Sequence, residues 1–181
     1  LRAAPRRRRQ MKVLSVLTSS GVITAEDASA VEVEARKDKV SVESILEKRG
    51  VTTETLLKTV ADKYGMPYRM LASGPIAHEA LNYIPEESAR HYQFAPLGIV
   101  EGALEIGVRD PDNIEAGDAL QFISTKVGMP FKLVLVSEAD FNRVLEEYKN
   151  LSGEVGEALS ELDGSIAAEA EASGKKEAID T

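Results

Sequence analysis

The sequence predicts an α+β fold, in which an N-terminal tandem repeat of about four helices precedes a small mixed sheet with helices packed on one face. The sheet is expected to have three strands or slightly more. The first observation behind this prediction is an internal repeat, in which Gly21-Val22 aligns with Gly50-Val51 at an offset of 29 residues. The second is the stretch FAPLGIVEGALEIGVRDPDN at residues 94–113, and the third is the β-rich segment FKLVLV at residues 131–136.

The two copies of the repeat cover residues 12–35 and 41–64. Each copy predicts a short helix, a glycine at its C-cap, a hydrophobic residue and a second helix that starts at a threonine. In the first copy, Thr24 followed three residues later by Asp27 resembles a capping box. The last helix carries an apolar stripe at helical spacing: Leu56, Leu57, Val60, Ala61 and Tyr64.

Residues 94–113 predict a β-hairpin that runs into a helix. Two alternating apolar sets define its strands: Ala95, Leu97 and Ile99 in the first, and Leu104, Ile106 and Val108 in the second. Gly102 can adopt the positive φ that a tight hairpin turn needs. Pro111 ends the second strand, because it has no N–H to donate to a neighbouring strand.

The segments after the hairpin predict a helix, a third strand and a last helix. Asp112 with Glu115 can cap the first helix, and Gly128 ends it. Its apolar stripe consists of Ala116, Ala119, Leu120, Ile123 and Val127. Ser137 is expected to cap the last helix, whose stripe consists of Phe141, Val144, Leu145 and Tyr148. Since a strand–helix–strand crossover is right-handed, the third strand should lie parallel to the second.

Between the repeat and the hairpin, weaker patterns predict three short elements. Residues 67–71 are expected to form a strand. Residues 77–83 and 85–92 are expected to form two short helices, with Pro85 at a first helical position. Together these expectations divide the chain into a basic disordered leader (1–10), a helical repeat subdomain (11–66), an α+β sheet subdomain (67–150) and an acidic flexible linker (151–181).

Charge and composition exclude several classes of protein. The net charge of −8 and the pI near 4.9 argue against nucleic-acid binding, which needs a basic surface. No apolar run approaches the length of a membrane span, so direct membrane insertion is not expected. The absence of cysteine excludes disulfides and thiolate metal sites. The charge is also uneven: five arginines and no acids lie in residues 1–10, and eight acids against two lysines lie in residues 151–181.

The sequence offers no catalytic, metal-binding or phosphate-binding motif. It has no G-x-x-x-x-G-K-[ST] to hold ATP phosphates and no G-x-S-x-G around a nucleophilic serine. His78 and His91 have no partners at metal-ligand spacing. We therefore predict no catalytic residue, no metal site and no resident cofactor, and we expect this chain not to be an enzyme.

The order of these parts resembles the N-terminal domain of the type II secretion and type IV pilus assembly ATPases, the GspE/PilB family. After the repeat come Ile-Pro-Glu with Ala-Arg (residues 84–90), Ala-Pro-Leu (residues 95–97) and Asp-Pro-Asp (residues 110–112). The resemblance covers about Met11 to Asn150. It is fairly specific as an ordered series, although each motif alone is weak.

The resemblance implies a non-catalytic docking and regulatory domain, with the ATPase domain of the same chain beyond Thr181. The implied partner is the cytoplasmic domain of an inner-membrane platform protein. The chain would then be cytoplasmic and associated with the inner membrane only through that partner. One alternative is the same module fused to another effector, such as a glycosyltransferase or a response regulator.

A second alternative is a sensor of cyclic di-GMP, which some relatives bind through two tandem repeats. The resemblance implies a groove formed by Lys12, Leu17, Gly21, Val22, Leu46, Gly50, Val51 and Leu57. The match is incomplete, because the arginine of the repeat motif is Lys12 in the first copy and Ser41 in the second. The glycine two positions later is Leu14 and Glu43, and the final glutamine is Ala35 and Tyr64. Glu43 would place a like charge beside a dianionic ligand.

Overall fold

A computed structural model describes residues 5–71, 76–153 and 162 of the chain. The chain divides into two compact units, residues 1–145 and 146–181. The elements of the first unit are α1 (Pro5–Ser19), α2 (Ala25–Asp38), α3 (Val42–Lys48), α4 (Thr53–Tyr64), α5 (His78–Leu81), α6 (Glu86–Tyr92), β1 (Phe94–Val100), β2 (Ala103–Val108), α7 (Ile114–Val127) and β3 (Phe131–Leu135). A further helix of the first unit, α8, begins at residue 138 and reaches the end of that unit at residue 145.

The tandem repeat is present as α1–α2 and α3–α4, with α1 against α4 and α2 against α3. The predicted capping box of Thr24 and Asp27 is confirmed at the start of α2. Ser41 and Thr52 cap α3 and α4 in the same way, by accepting a backbone N–H with the side-chain oxygen. Each copy therefore carries its helix boundaries in its own short-range sequence.

The first helix begins earlier than the sequence predicts. Residues 5–10 are helical, although residues 1–10 are expected to be a disordered leader. The physical reason is Arg9, which is only 6% exposed and bonds to side chains from the sheet subdomain. Arginine side chains in such a run stay in water unless the folded protein brings hydrogen-bond acceptors close to them.

The three-stranded mixed sheet is confirmed, with strand order β1-β2-β3. β1 and β2 are antiparallel, and β3 is parallel to β2, as the crossover rule predicts. The hairpin turn lies at Glu101-Gly102, where both residues have positive φ. The register shifts between Pro96 and Gly98, so a bulge at Leu97 interrupts the alternation expected along β1.

Several local predictions differ from the structure in detail. Residues 67–71 form a single bridge, Tyr68 to Leu135, instead of a strand. Pro85 is the N-cap of α6 rather than its first helical residue, because its ψ of 143° is extended. Asn113, not Asp112, caps α7 by accepting from the Ala116 amide, which leaves Asp112 free to contact other elements.

The last helix follows its predicted cap. Ser137 accepts the backbone amide of Asp140 at 3.0 Å, and the predicted stripe residues Phe141, Val144 and Leu145 are buried. In the second unit, residues 146–153 are helical, with an ion pair between Lys149 and Glu146. The expected linker at 151–181 lies outside the described residues except for 151–153 and 162. The boundaries of the four segments into which the sequence divides the chain therefore stay predictions.

The core of the helical repeat reaches the sheet. Leu17, Ile45, Leu46 and Leu57 are almost completely buried in one apolar cluster. Leu135 at the end of β3 belongs to the same cluster. The repeat and the sheet are therefore joined by an apolar contact, beside which the polar contacts described next are made.

Candidate functional site

The first polar group at this junction, termed the Arg109 cluster, consists of Arg9, Glu43, Gln93, Arg109 and Glu138. Arg109 Nη2 donates to Glu138 Oε2 at 2.8 Å and to Glu43 Oε1 at 3.2 Å, and Arg109 Nη1 donates to Gln93 Oε1 at 3.3 Å. Arg9 Nη1 donates to the same Gln93 oxygen at 3.0 Å. One guanidinium thus connects α3, the start of α8 and the end of α6.

Burial makes this cluster electrostatically significant. The side chain of Arg109 is 4% exposed, and its guanidinium carbon lies 5.7 Å from the centre of the Phe141 ring. Burial first, and then the nearby charge of Arg109, lower the pKa of Arg9 to about 10, although Glu138 and Glu43 act in the opposite direction. Two buried cations are therefore held together by two carboxylates.

The second polar group is the RDPD turn, residues 109–112, which follows β2. Asp110 accepts the Asp112 amide with its own side chain, which fixes the turn. Lys12 Nζ lies 3.2 Å from Asp112 and 3.6 Å from Asp110. The Tyr64 hydroxyl donates to Asp112 Oδ2 at 2.8 Å. The turn therefore contacts both copies of the helical repeat.

These contacts shift two pKa values in opposite directions. The hydrogen bond from Tyr64 stabilises the carboxylate and lowers the pKa of Asp112, with a smaller lowering contribution from Lys12. Burial first, and then the bond to Asp112, raise the pKa of Tyr64 to about 12. At neutral pH the pair is therefore a neutral phenol bound to an ionised carboxylate.

The predicted groove residues occupy three kinds of position. Leu17, Leu46 and Leu57 are buried together in the core of the repeat. The two glycines follow α1 and α3 in left-handed conformations, and the valine after each donates its amide to the leucine five residues earlier. Val22 and Val51 are half-buried against the same core. Lys12 is ion-paired with the RDPD turn. Assignment of these residues to a ligand groove stays a prediction.

Other positions of the implied repeat motif make contacts within the protein. Ser41, in place of the motif arginine, caps α3. Glu43, in place of the glycine, belongs to the Arg109 cluster, and Tyr64, in place of the glutamine, binds Asp112. Glu43 and Tyr64, which stand at motif positions but differ from the motif residues, therefore connect the repeat to the sheet.

Sequence reasoning did not identify Arg9, Gln93, Arg109 or Glu138 as parts of a site. In the sequence, Arg9 lies in a run of arginines and Arg109 begins a turn, and neither pattern indicates a site. One further pattern could have indicated it: Arg109 directly follows a strand predicted to be buried, and a buried charge needs hydrogen-bond acceptors. Within the part of the chain that the structure describes, no group of three His, Asp or Glu residues could hold a metal ion. Among the same residues, no helix is both long and apolar enough to cross a bilayer.

Comparisons with known proteins relate this geometry to a family. The family model of the MshEN domain matches residues 64–155, just over half of the chain. The chain is 25% identical over 152 residues to the type IV pilus assembly ATPase PilB of Myxococcus xanthus (strain DK1622). That alignment covers 83% of this chain and 26% of PilB, so the chain spans about a quarter of the length of this curated relative.

The fold is shared with one solved structure, and a second structure is similar over much of the chain. The structure of MshE with cdg aligns with a TM-score of 0.52 and 19% identity, over 75% of this chain and 97% of that chain. The N-terminal domain of XpsE aligns with a TM-score of 0.41 and 16% identity, over 81% of this chain and 97% of that chain. The family match and the PilB relative confirm the resemblance drawn from the ordered motifs. The chain therefore belongs to the MshEN domain family.

Proposed function

We propose that this chain is a non-catalytic docking and regulatory domain of a type IV pilus assembly or type II secretion ATPase. Its family membership supports this function, as does the PilB relative, of which it spans 26%. The ATPase domain would lie in the same protein, beyond Thr181. ATP hydrolysis would take place in that domain, and this chain would dock the protein to its partner and regulate it.

The observation that carries the proposal is the Arg109 cluster between the helical repeat and the sheet. A buried set of ion pairs adds little net stability over apolar packing, but it can specify one arrangement of the elements that it joins. Here the cluster and the RDPD turn connect the helical repeat to the sheet. Leu135 provides the apolar contact between the same two parts. Such an arrangement presents a defined surface to a partner, and a charged effector could alter it.

The partner is the cytoplasmic domain of an inner-membrane platform protein. Under this proposal the chain is cytoplasmic and reaches the inner membrane only through that partner, without inserting into the bilayer and without binding nucleic acid. The test is a binding assay, such as calorimetry, between the folded chain and the cognate platform domain. No detectable binding by a chain with an intact thermal transition contradicts the proposal.

A matched pair of variants tests the role of the cluster in docking. Arg109→Gln removes the central cation and should weaken binding to the platform domain. Arg49→Gln removes an exposed cation that pairs with Glu34, and it should bind as the unmodified chain does. Equal affinity for both variants would mean that the arrangement set by Arg109 is not used for docking.

Cyclic di-GMP is the second candidate, because the solved structure of MshE contains cdg and because Lys12 stands at the arginine position of the motif. Against it, Asp112 pairs with Lys12 and accepts from Tyr64, and Glu43, in place of the motif glycine, binds Arg109. Calorimetry and a thermal-shift measurement at high micromolar cyclic di-GMP test whether the chain binds this nucleotide. A saturable heat that Lys12→Gln abolishes supports the sensor. No heat and no shift in Tm exclude it.

The third candidate, fusion to an unrelated effector, is tested by the coding sequence after Thr181. A G-x-x-x-x-G-K-[ST] motif within the next few hundred residues supports the assembly ATPase. A glycosyltransferase or response-regulator domain in that place would assign the module to another system.

A further inference from the structure

A cavity of about 550 Å³ lies beside the Arg109 cluster, between the end of α6, the RDPD turn and the start of α8. Its volume lies within the range of small-molecule sites in proteins. The charged groups in its lining are Arg9, Arg90, Arg109, Asp110 and Glu138. Phe141 and Leu145 add apolar surface. The cavity therefore combines convergent cations with room for an apolar group.

Two of the lining residues, Arg9 and Arg109, each carry a buried donor that lacks an acceptor. In the described part of the chain, Arg9 Nη2 and Arg109 Nε are buried side-chain nitrogens without a hydrogen-bond partner. Arg9 and Arg109 are only 6% and 7% exposed. Arg9 Nη2 lies 3.9 Å from Glu138 Oε2, which is too long for a hydrogen bond, and Gln93 Oε1 already accepts from both arginines. A buried donor without an acceptor is costly, so these groups favour an incoming acceptor.

Charge defines the chemical class of that acceptor. Three guanidinium groups and two carboxylates line the cavity. Outside the lining, Glu43 binds Arg109, Glu86 binds Arg90 and Lys12 pairs with Asp110. The formal charges of this set cancel, so a dianion would leave more net negative charge at the site than a singly charged acceptor would. A carboxylate carries a single charge over two oxygens that match the planar fork of arginine.

We propose that this cavity is a binding site for a small organic carboxylate with an apolar body. The carboxylate accepts hydrogen bonds from Arg9 Nη2 and Arg109 Nε, and the apolar body lies against Phe141 and Leu145. The site is separate from the predicted cyclic di-GMP groove, since none of the eight groove residues lines the cavity. It goes beyond the proposed docking function and does not depend on the platform partner.

The test compares benzoate with benzamide, its neutral analogue of the same shape, on the full chain. Binding is followed by the NMR signals of the arginine Nε–H groups and by thermal shift. Benzoate should move the Arg109 Nε–H signal and raise Tm, while benzamide should do neither. Arg9→Gln should weaken benzoate binding at least about tenfold, because a charge-assisted hydrogen bond is lost.

Arg7→Gln is the matched control, because Arg7 lies in the same helix, is largely exposed and does not line this cavity. It should bind benzoate as the unmodified chain does. If Arg9→Gln fails to fold, Arg90→Gln, which changes a half-exposed residue outside the buried cluster, should still weaken binding about threefold. Equal shifts with benzoate and benzamide overturn the proposal, as does inorganic phosphate displacing benzoate more effectively than acetate does.

Discussion

Glu43 accepts a hydrogen bond from the backbone amide of Glu138 at 2.8 Å, across 95 residues of sequence. The first turn of α3 thus meets the first turn of α8, whose free amide groups favour a negative charge. The two glutamates tolerate each other because Arg109 donates to both. This relationship makes the stability of the junction depend on Arg109.

Arg109→Gln should lower the free energy of unfolding by about 3 kcal/mol, because it leaves two partly buried carboxylates without their cation. The measurement is chemical denaturation with urea. Arg49→Gln is the control, since its exposed pair with Glu34 should contribute less than about 1 kcal/mol. Equal effects of the two variants would show that the Arg109 cluster does not stabilise the fold.

Tyr64→Phe should raise the pKa of Asp112 towards its ordinary value of 3.8, since the phenol bond is the largest cause of the lowering. Because the folded pKa is depressed, the contribution of Asp112 to stability is present above about pH 3.8 and is lost as pH falls through the lower folded value. Carboxyl NMR titration of both proteins measures the change. Conversely, Asp112→Asn should lower the pKa of Tyr64 from about 12, which the phenolate absorbance reports. An unchanged Tyr64 titration in that variant would contradict the contact.

Gly107→Ala should destabilise the sheet by about 1–3 kcal/mol through overpacking. A Cβ there would lie 2.9 Å from Val136 Cγ1 and 3.3 Å from Leu97 Cδ2, and the branched valine has little freedom to move. The control is Gly117→Ala in α7, where nothing lies within 4 Å of the new Cβ. That substitution should be stabilising by about 0.5–1 kcal/mol, because alanine is the better helix former. Both changes are measured by thermal unfolding.

Leu104→Asp should abolish the cooperative thermal transition, because it places an unpaired charge where the side chain is 3% exposed. Val100→Asp, at the exposed end of β1, should leave the transition within a few degrees of the unmodified chain. Circular dichroism of the two variants makes the comparison. A normal transition for Leu104→Asp would mean that β2 is not a central strand.

The sequence predicted those features that depend on neighbouring residues. Thr24 and Ser137 cap their helices because the acceptor and the amide lie within three residues, and Glu101-Gly102 forms the turn because local backbone preference decides it. The parallel placement of β3 followed from a general rule of chain connection. The α+β class and the mixed sheet could therefore be predicted from the sequence.

The candidate site was less accessible, because its contacts join distant parts of the chain. Arg109 is 66 residues from Glu43, and no periodic pattern encodes such a pairing. The four successive arginines predicted a solvated leader, yet Arg9 finds its acceptor, Gln93, 84 residues away. The bulge at Leu97 was missed for a related reason, since the alternation along β1 gives no signal of a shift in register.

The position of Glu43 has an evolutionary consequence. Placing glycine there, as the implied cyclic di-GMP motif requires, would remove an acceptor from both Arg109 and the Glu138 amide. The substitution should therefore be harmful alone and better tolerated when Arg109 is changed as well. This epistasis links residues 43 and 109, so a route from this sequence to one with the full motif passes through paired substitutions rather than single steps.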